Sequence, residues 1–166
     1  QIDIDASGVP TGILRESAIG LVRRLAPKPT LADHKRMLAL AAQHAASLGL
    51  TAVHSDDLAG HFEEMLQAYY ELVHEDRLPV RVSLQVRLYS PEQVDEFLRV
   101  SERFQFPPHT VEYGPVKVMT DGSLGGRTAA LNAPYADDHT TCGVEVLSQE
   151  TITEILSRAH AHGMQM

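Results

Sequence analysis

One cysteine, Cys142, occurs among 166 residues, so no disulfide can form within the chain, and this usage fits a reducing compartment. Lysine is nearly as scarce: of 14 basic residues only Lys28, Lys35 and Lys117 are lysines. With a formal net charge of −8 there is no basic stripe to neutralise phosphates, which argues against a nucleic-acid partner. No apolar run nears the roughly 18 residues of a membrane span, and the first residues show no signal-peptide pattern. Repeats, low-complexity tracts and a dividing linker are also missing. What is present is ordinary: 43% hydrophobic and 22% charged residues, the composition of a single globular domain over residues 1–166, expected in the cytoplasm.

Hydrophobic spacing predicts the elements. Ile13, Leu14, Ala18, Leu21, Val22 and Leu25 fall at helical intervals and predict a helix over Ile13–Leu25. Thr30 and Asp33 make a box-like start for a second helix, Leu31–Leu48, which Gly49 stops. Leu50–His54 reads as a short strand, and Gly60–His74 as a helix with Phe62, Met65, Leu66 and Tyr69 on one face. In Val80–Leu88 apolar residues alternate with Arg81, Ser83, Gln85 and Arg87, the period of a strand. Ser90, Pro91 and Gln93 predict a capping box for the next helix. Val116–Thr120 is a further strand, and a glycine-containing loop runs from Asp121 to about Leu147. Ser148 caps a last helix, Gln149–His162, before Met164–Met166 starts another strand. Strands separated by helices imply an α/β fold with a parallel sheet. The alternation in Val80–Leu88 also fits an antiparallel strand with one wet face.

Lys117 is the residue whose chemistry stands out. It sits between Val116 and Val118 inside a strand, and lysine is almost never buried without a partner. Desolvation there would make the neutral amine available as a nucleophile or base; a strand-edge lysine reaching solvent or Asp121 is the plain alternative. The loop after this strand, Asp121-Gly122-Ser123-Leu124-Gly125-Gly126-Arg127-Thr128, occupies the place where parallel α/β folds build their sites. Its glycines permit close approach of backbone to ligand, and Arg127 can hold a carboxylate or carbonyl. It is not a phosphate-binding P-loop, for no Gly-Lys-Ser/Thr follows, and a structural turn is an equal alternative for it. His54 ends a predicted strand, where it would face substrate or serve structure. His160-Ala161-His162 has a metal-like spacing, but residues two apart on a helix diverge, and charge at a helix C-terminus explains them better.

A longer pattern joins these pieces. Pro10-Thr11-Gly12-Ile13-Leu14-Arg15-Glu16, Gly49-Leu50-Thr51-Ala52-Val53-His54, Leu78-Pro79-Val80-Arg81-Val82, Val116-Lys117 with Asp121-Gly122-Ser123-Leu124-Gly125, and Arg127-Thr128-Ala129-Ala130-Leu131 with Pro134-Tyr135 occur in that order. Together they resemble the amidohydrolase 3 family, which includes N-substituted formamide deformylase. The resemblance implies part of a (β/α)8 barrel, its second to fourth strands near residues 50, 80 and 116, with the fifth opening at Met164. A complete barrel takes about 250 residues, so this length does not close one. In such enzymes the lysine ending the fourth strand, here Lys117, is carboxylated and ligates a divalent metal, zinc being the expected ion. Water activated by that metal attacks an amide-like small molecule at a carbon–nitrogen bond other than a peptide bond. His54, Asp121, Ser123 and Arg127 would then face substrate or support the ligands. The family's first-strand His-x-His pair is expected before this chain, and its later histidines and aspartate after Met166. The fragment is therefore expected to be inactive alone and to self-associate as a homo-oligomer through open barrel edges. The competing reading is a small non-catalytic α/β module holding an anion at the 121–128 loop.

Overall fold

Val82, Leu84, Val86 and Leu88 turn one face of β4 (Arg81–Leu88) into the core, while Arg81, Gln85 and Arg87 remain more exposed on the other. That alternation organises the molecule. The computed structural model describes residues 2–14 and 18–166, which fall into two units, Gln1–Thr30 and Leu31–Met166.

In the first unit, β1 (Ile2–Ile4) and β2 (Pro10–Leu14) pair antiparallel, with Ile2 opposite Leu14 and Ile4 opposite Pro10. Asp5 shapes the turn, its Oδ1 accepting from the backbone N–H groups of Ser7 at 2.8 Å and Val9 at 3.0 Å. α1 is confined to Ile19–Arg23 and buries none of its residues. The helix predicted over Ile13–Leu25 is corrected accordingly: Ile13 and Leu14 belong to β2, and residues 15–17 lie outside the described residues. A short apolar stretch satisfies both periods, and Gly12 at φ +87° breaks helical backbone before Ile13.

The second unit runs α2 (Leu31–Ser47), β3 (Ala52–Leu58), α3 (Phe62–His74), β4, α4 (Pro91–Ser101), β5 (Val111–Val118) and α5 (Gln149–Ala161). β3, β4 and β5 lie side by side in sequence order, each pair parallel. This is the expected α/β arrangement, an open part of a (β/α)8 barrel, and the parallel pairing removes the antiparallel alternative for β4. The core joins Phe62 and Leu66 of α3, Val94 and Phe97 of α4 and Ile155 of α5 to the inward residues of the sheet. Phe62 and Phe97 meet edge to face, ring centres 5.5 Å apart.

Several ends follow the predicted chemistry. Gly49, at φ +81°, closes α2 with its N–H on Ala46 O at 2.9 Å. Ser148 Oγ accepts from Thr151 N at 3.2 Å and starts α5. The box at Ser90 forms differently. Pro91 takes the first helical position, but the Ser90 side chain does not cap it, and Gln93 Oε1 accepts instead from Tyr89 N at 2.7 Å. Beyond α5, Val116 N donates to Gln165 O at 2.7 Å, but Met164–Met166, expected to open a further strand, forms none, because one hydrogen bond makes no ladder.

Both outer strands hold one residue more than β4 at the same level. Between the rungs at Leu84 and Val86, β4 has Gln85 alone, whereas β3 has Asp56 and Asp57 between Ser55 and Leu58. Opposite the same segment β5 has Gly114 and Pro115 between Tyr113 and Val116. Each is a β-bulge. A Cβ at Gly114 would lie 2.6 Å from Ser83 Oγ and 3.0 Å from Leu84 O, so this bulge leaves no room for a side chain.

Candidate functional site

The bulge in β3 sends its two aspartates to opposite faces. Asp57 turns towards the helices, where its Oδ2 accepts from Tyr69 OH at 2.6 Å and its Oδ1 from Ser55 Oγ at 2.6 Å. Asp56 turns to the face opposite the helices. There its Oδ2 accepts from Lys117 Nζ at 2.7 Å and from Arg87 Nη2, while its Oδ1 accepts from Arg87 Nε at 3.2 Å. Arg87 Nη2 also approaches Asp56 O at 3.4 Å.

Lys117 reaches this face because Val116 and Val118 on either side of it pack into the helix-side core. It stands directly opposite Arg87 in the register and one residue from the end of β5. The three side chains thus share the carboxyl ends of three adjacent parallel strands, the end at which (β/α)8 folds assemble their sites. All three are about a third exposed or less than that, at 31% for Asp56, 26% for Arg87 and 36% for Lys117. Partial burial pushes the Asp56 carboxyl up, but the hydrogen bonds and charges of Arg87 and Lys117 outweigh it and hold it below the usual carboxylate range. The hydrogen bond of Asp56, and after it that of Tyr89, raise the Arg87 guanidinium further above its ordinary value.

His54 does not belong to this cluster. β3 continues to Leu58 instead of ending at His54. His54 pairs in register with Ser83, four residues before Arg87 on β4, roughly 13 Å along the strand. It lines a cavity of about 270 Å3 at the amino ends of the strands, with Arg81, His109 and Glu112. The expectation that this strand ends at His54 is therefore corrected, and His54 lies at the opposite end of the strands from Lys117. The sequence suggested a strand end there because Ser55-Asp56-Asp57 has turn composition.

The loop after β5 is long, as expected, and much of its polar chemistry is spent on itself. Asp121 Oδ2 accepts from Ala130 N at 2.9 Å, and Ser123 Oγ accepts from Gly126 N at 3.2 Å. The N–H groups of Thr128 and Ala129 both go to Ser123 O, at 3.0 and 3.1 Å. Arg127 grips Asp137 Oδ2 through Nε at 3.1 Å and Nη2 at 2.8 Å. Gly143, at φ +88°, lies so close to Ala129 that a Cβ would fall 2.0 Å from its carbonyl oxygen. An anion at residues 121–128 would find these N–H donors already paired.

Asp56 and Arg87 were not singled out from the sequence. Arg87 is the last polar position of a regular alternation, one residue before its strand ends, and that position is the available signal. For Asp56 the signal was hidden by the bulge. A carboxylated Lys117 would offer the oxygen atoms that hard or borderline divalent cations take, while Asp56 already gives both of its oxygens to Arg87 and Lys117. Among the described residues no three His, Cys, Asp or Glu side chains gather as a metal site.

A three-stranded parallel sheet with helices packed on one face defines the class of the fold, an open part of a (β/α)8 barrel. Residues 2–166 match the profile of the amidohydrolase family, and the chain belongs to that family. It is 32% identical over 164 residues to the putative amidohydrolase YtcJ of Bacillus subtilis (strain 168), covering 98% of this chain and 30% of that protein. Protein LONG AFTER FAR-RED 3 of Arabidopsis thaliana is 23% identical over 180 residues, 96% of this chain and 28% of that protein. Among solved structures, an uncharacterized metal-dependent hydrolase from Pyrococcus horikoshii OT3 superposes with a TM-score of 0.74 at 30% identity, over 98% of this chain and 32% of that one. Another from Pyrococcus furiosus gives 0.73 at 32% identity, over 98% and 33%. The chain thus spans about a third of the length of the relatives it matches.

Proposed function

We propose that this chain contributes the second, third and fourth strands of the barrel of a metal-dependent hydrolase that cleaves carbon–nitrogen bonds other than peptide bonds in small amide-like molecules. The observation that carries the proposal is the position of Lys117, at the carboxyl end of β5 and on the face opposite the helices. In this reading Lys117 is a metal-facing residue, carboxylated in the complete protein, and zinc is the cation expected. A bound divalent cation would supply a water made acidic enough to attack at neutral pH. Asp56 and Arg87 hold the lysine side chain at the rim. The loop carrying Asp121, Ser123 and Arg127 forms a wall on the substrate side, stiffened by its own hydrogen bonds. Family membership, and the metal-dependent hydrolases that superpose on the chain, support this reading.

The test uses the complete protein. Lys117→Ala is expected to lose bound metal, measured by elemental analysis after dialysis, together with hydrolysis of a panel of N-substituted amides and formamides. Full metal content and unchanged turnover in that variant would reject the assignment.

On its own the chain is proposed to be inactive and self-associating. β3 is an edge of the sheet, and an uncovered edge offers a row of backbone donors and acceptors to another chain. Light scattering at micromolar concentration is expected to show dimers or larger species, with no amide hydrolysis in the same preparation. A monomer of 18.2 kDa that unfolds cooperatively would overturn the self-association.

A further inference from the structure

The contacts at the rim assign a role to two residues beside Lys117. Resting on the reading of Lys117 as the metal-facing residue, we propose that Asp56 and Arg87 are positioning residues that fix where its free amine points before any carboxylation. The geometry is a relay. Arg87 grips Asp56 at both carboxylate oxygens, through Nε at 3.2 Å and through Nη2. The oxygen that Nη2 holds also accepts from Lys117 Nζ at 2.7 Å. A two-point grip leaves a carboxylate little freedom to rotate, which a single contact would not achieve. The carboxylate so held gives a long, flexible lysine one preferred place to end.

The relay depends on the bulge. Without the extra residue in β3, Asp57 could not turn to Tyr69 while Leu58 still pairs with Val86 and Asp56 still faces away from the helices. The adjacent aspartates therefore divide the work, Asp57 tying the bulge to α3 and Asp56 steering Lys117. Lys35 provides an internal comparison, because it too is held by carboxylates, Glu71 at 2.8 Å and Glu75. Lys28 is exposed.

Three lysines make the test direct. With 13C at lysine Cε, NMR relaxation of the chain reads the side-chain order of each lysine separately. In the unaltered chain Lys117 is expected to match Lys35 in order and to exceed Lys28. Asp56→Ala is expected to lower the order parameter of Lys117 by roughly a third, from a rigid to a flexible value. Arg87→Met, which leaves Asp56 in place, is expected to lower it as well, and Arg87→Lys to restore only part of the loss. Lys35 should not move in any of these variants, which separates steering from general loosening. Unchanged order at Lys117 in Arg87→Met, or a parallel fall at Lys35, would overturn the proposal. Failure of the hydrolase reading shows elsewhere, as metal retained by Lys117→Ala in the complete protein.

Discussion

Leu84→Ala is expected to destabilise the second unit by about 2–5 kcal/mol, the range for emptying a leucine site that cannot collapse. Leu84 lies in the middle of the central strand and is 0% exposed. Its rung neighbours are Ser55 on β3 and Tyr113 on β5. Hydrogen bonding on both sides fixes the backbone of β4, so the lost volume has to be filled by α3 and α4, whose large residues are already packed. Whole domains are stable by only about 5–15 kcal/mol, so the loss is a substantial share of the total. Urea denaturation followed by circular dichroism reads it as a lowered midpoint at unchanged slope. Leu25→Ala is the control: Leu25 is 84% exposed, and its removal should change stability by less than about 0.5 kcal/mol. A loss below about 1 kcal/mol at Leu84 would mean the core repacks more freely than its burial implies.

Alkali should unfold the protein before it damages the chain. Tyr69 is 2% exposed, and burial, followed by the charge and hydrogen bond of Asp57, pushes its phenol far above the ordinary value. Burial pushes the Tyr113 phenol up to about 12, while its hydroxyl donates to Phe104 O at 2.8 Å and Ser101 O at 3.2 Å. In the unfolded chain both titrate near the usual value of about 10. Above that pH the unfolded state has lost protons that the folded state keeps, so stability falls as pH rises. Below about pH 10 the stabilisation is complete; above it each tyrosine removes up to about 1.4 kcal/mol per pH unit. The Tyr113 share levels off near 12, and the Tyr69 share continues beyond. Urea midpoints measured from pH 9 to 12 should drop steeply, and Tyr113→Phe should remove close to half the slope. A flat midpoint between pH 10 and 11.5 would contradict the burial of both phenols.

β4 was legible because its alternation is unbroken, and its predicted span differs from the observed one by a single residue. The last helix was equally plain, since Ser148 and Gly163 mark its ends. β5 was read from Val116 onwards, yet it begins at Val111. Gly114-Pro115 looks like a break in a strand pattern, and only the partner strand makes it a bulge. β3 was cut short for a related reason: an acidic pair is unfavourable in a strand taken by itself, but here each aspartate has a partner from elsewhere. The site divided the same way. Lys117 was recognisable from its flanking valines and from the resemblance. Its partner Asp56 is 61 residues away in sequence, and Arg87 is 31 from Asp56, separations that no local period encodes. The first unit misled because a few apolar residues at intervals of three and four also fit a hairpin arm followed by one helical turn.

The two bulges face one residue, Gln85, from either side, and this makes them points of slack in chain length. Above and below that level the rungs are regular: Leu84 to Val86 in the middle strand spans the same step as Ser55 to Leu58 and Tyr113 to Val116. A residue lost from Gly114-Pro115 would leave a regular strand in which Val116 still pairs with Val86 and Lys117 with Arg87. A residue lost between Pro115 and Lys117 would instead turn the lysine to the other face, into the helices. Single-residue gaps among relatives should therefore collect at this level of the sheet, and the rim that holds Lys117 should keep its spacing through them.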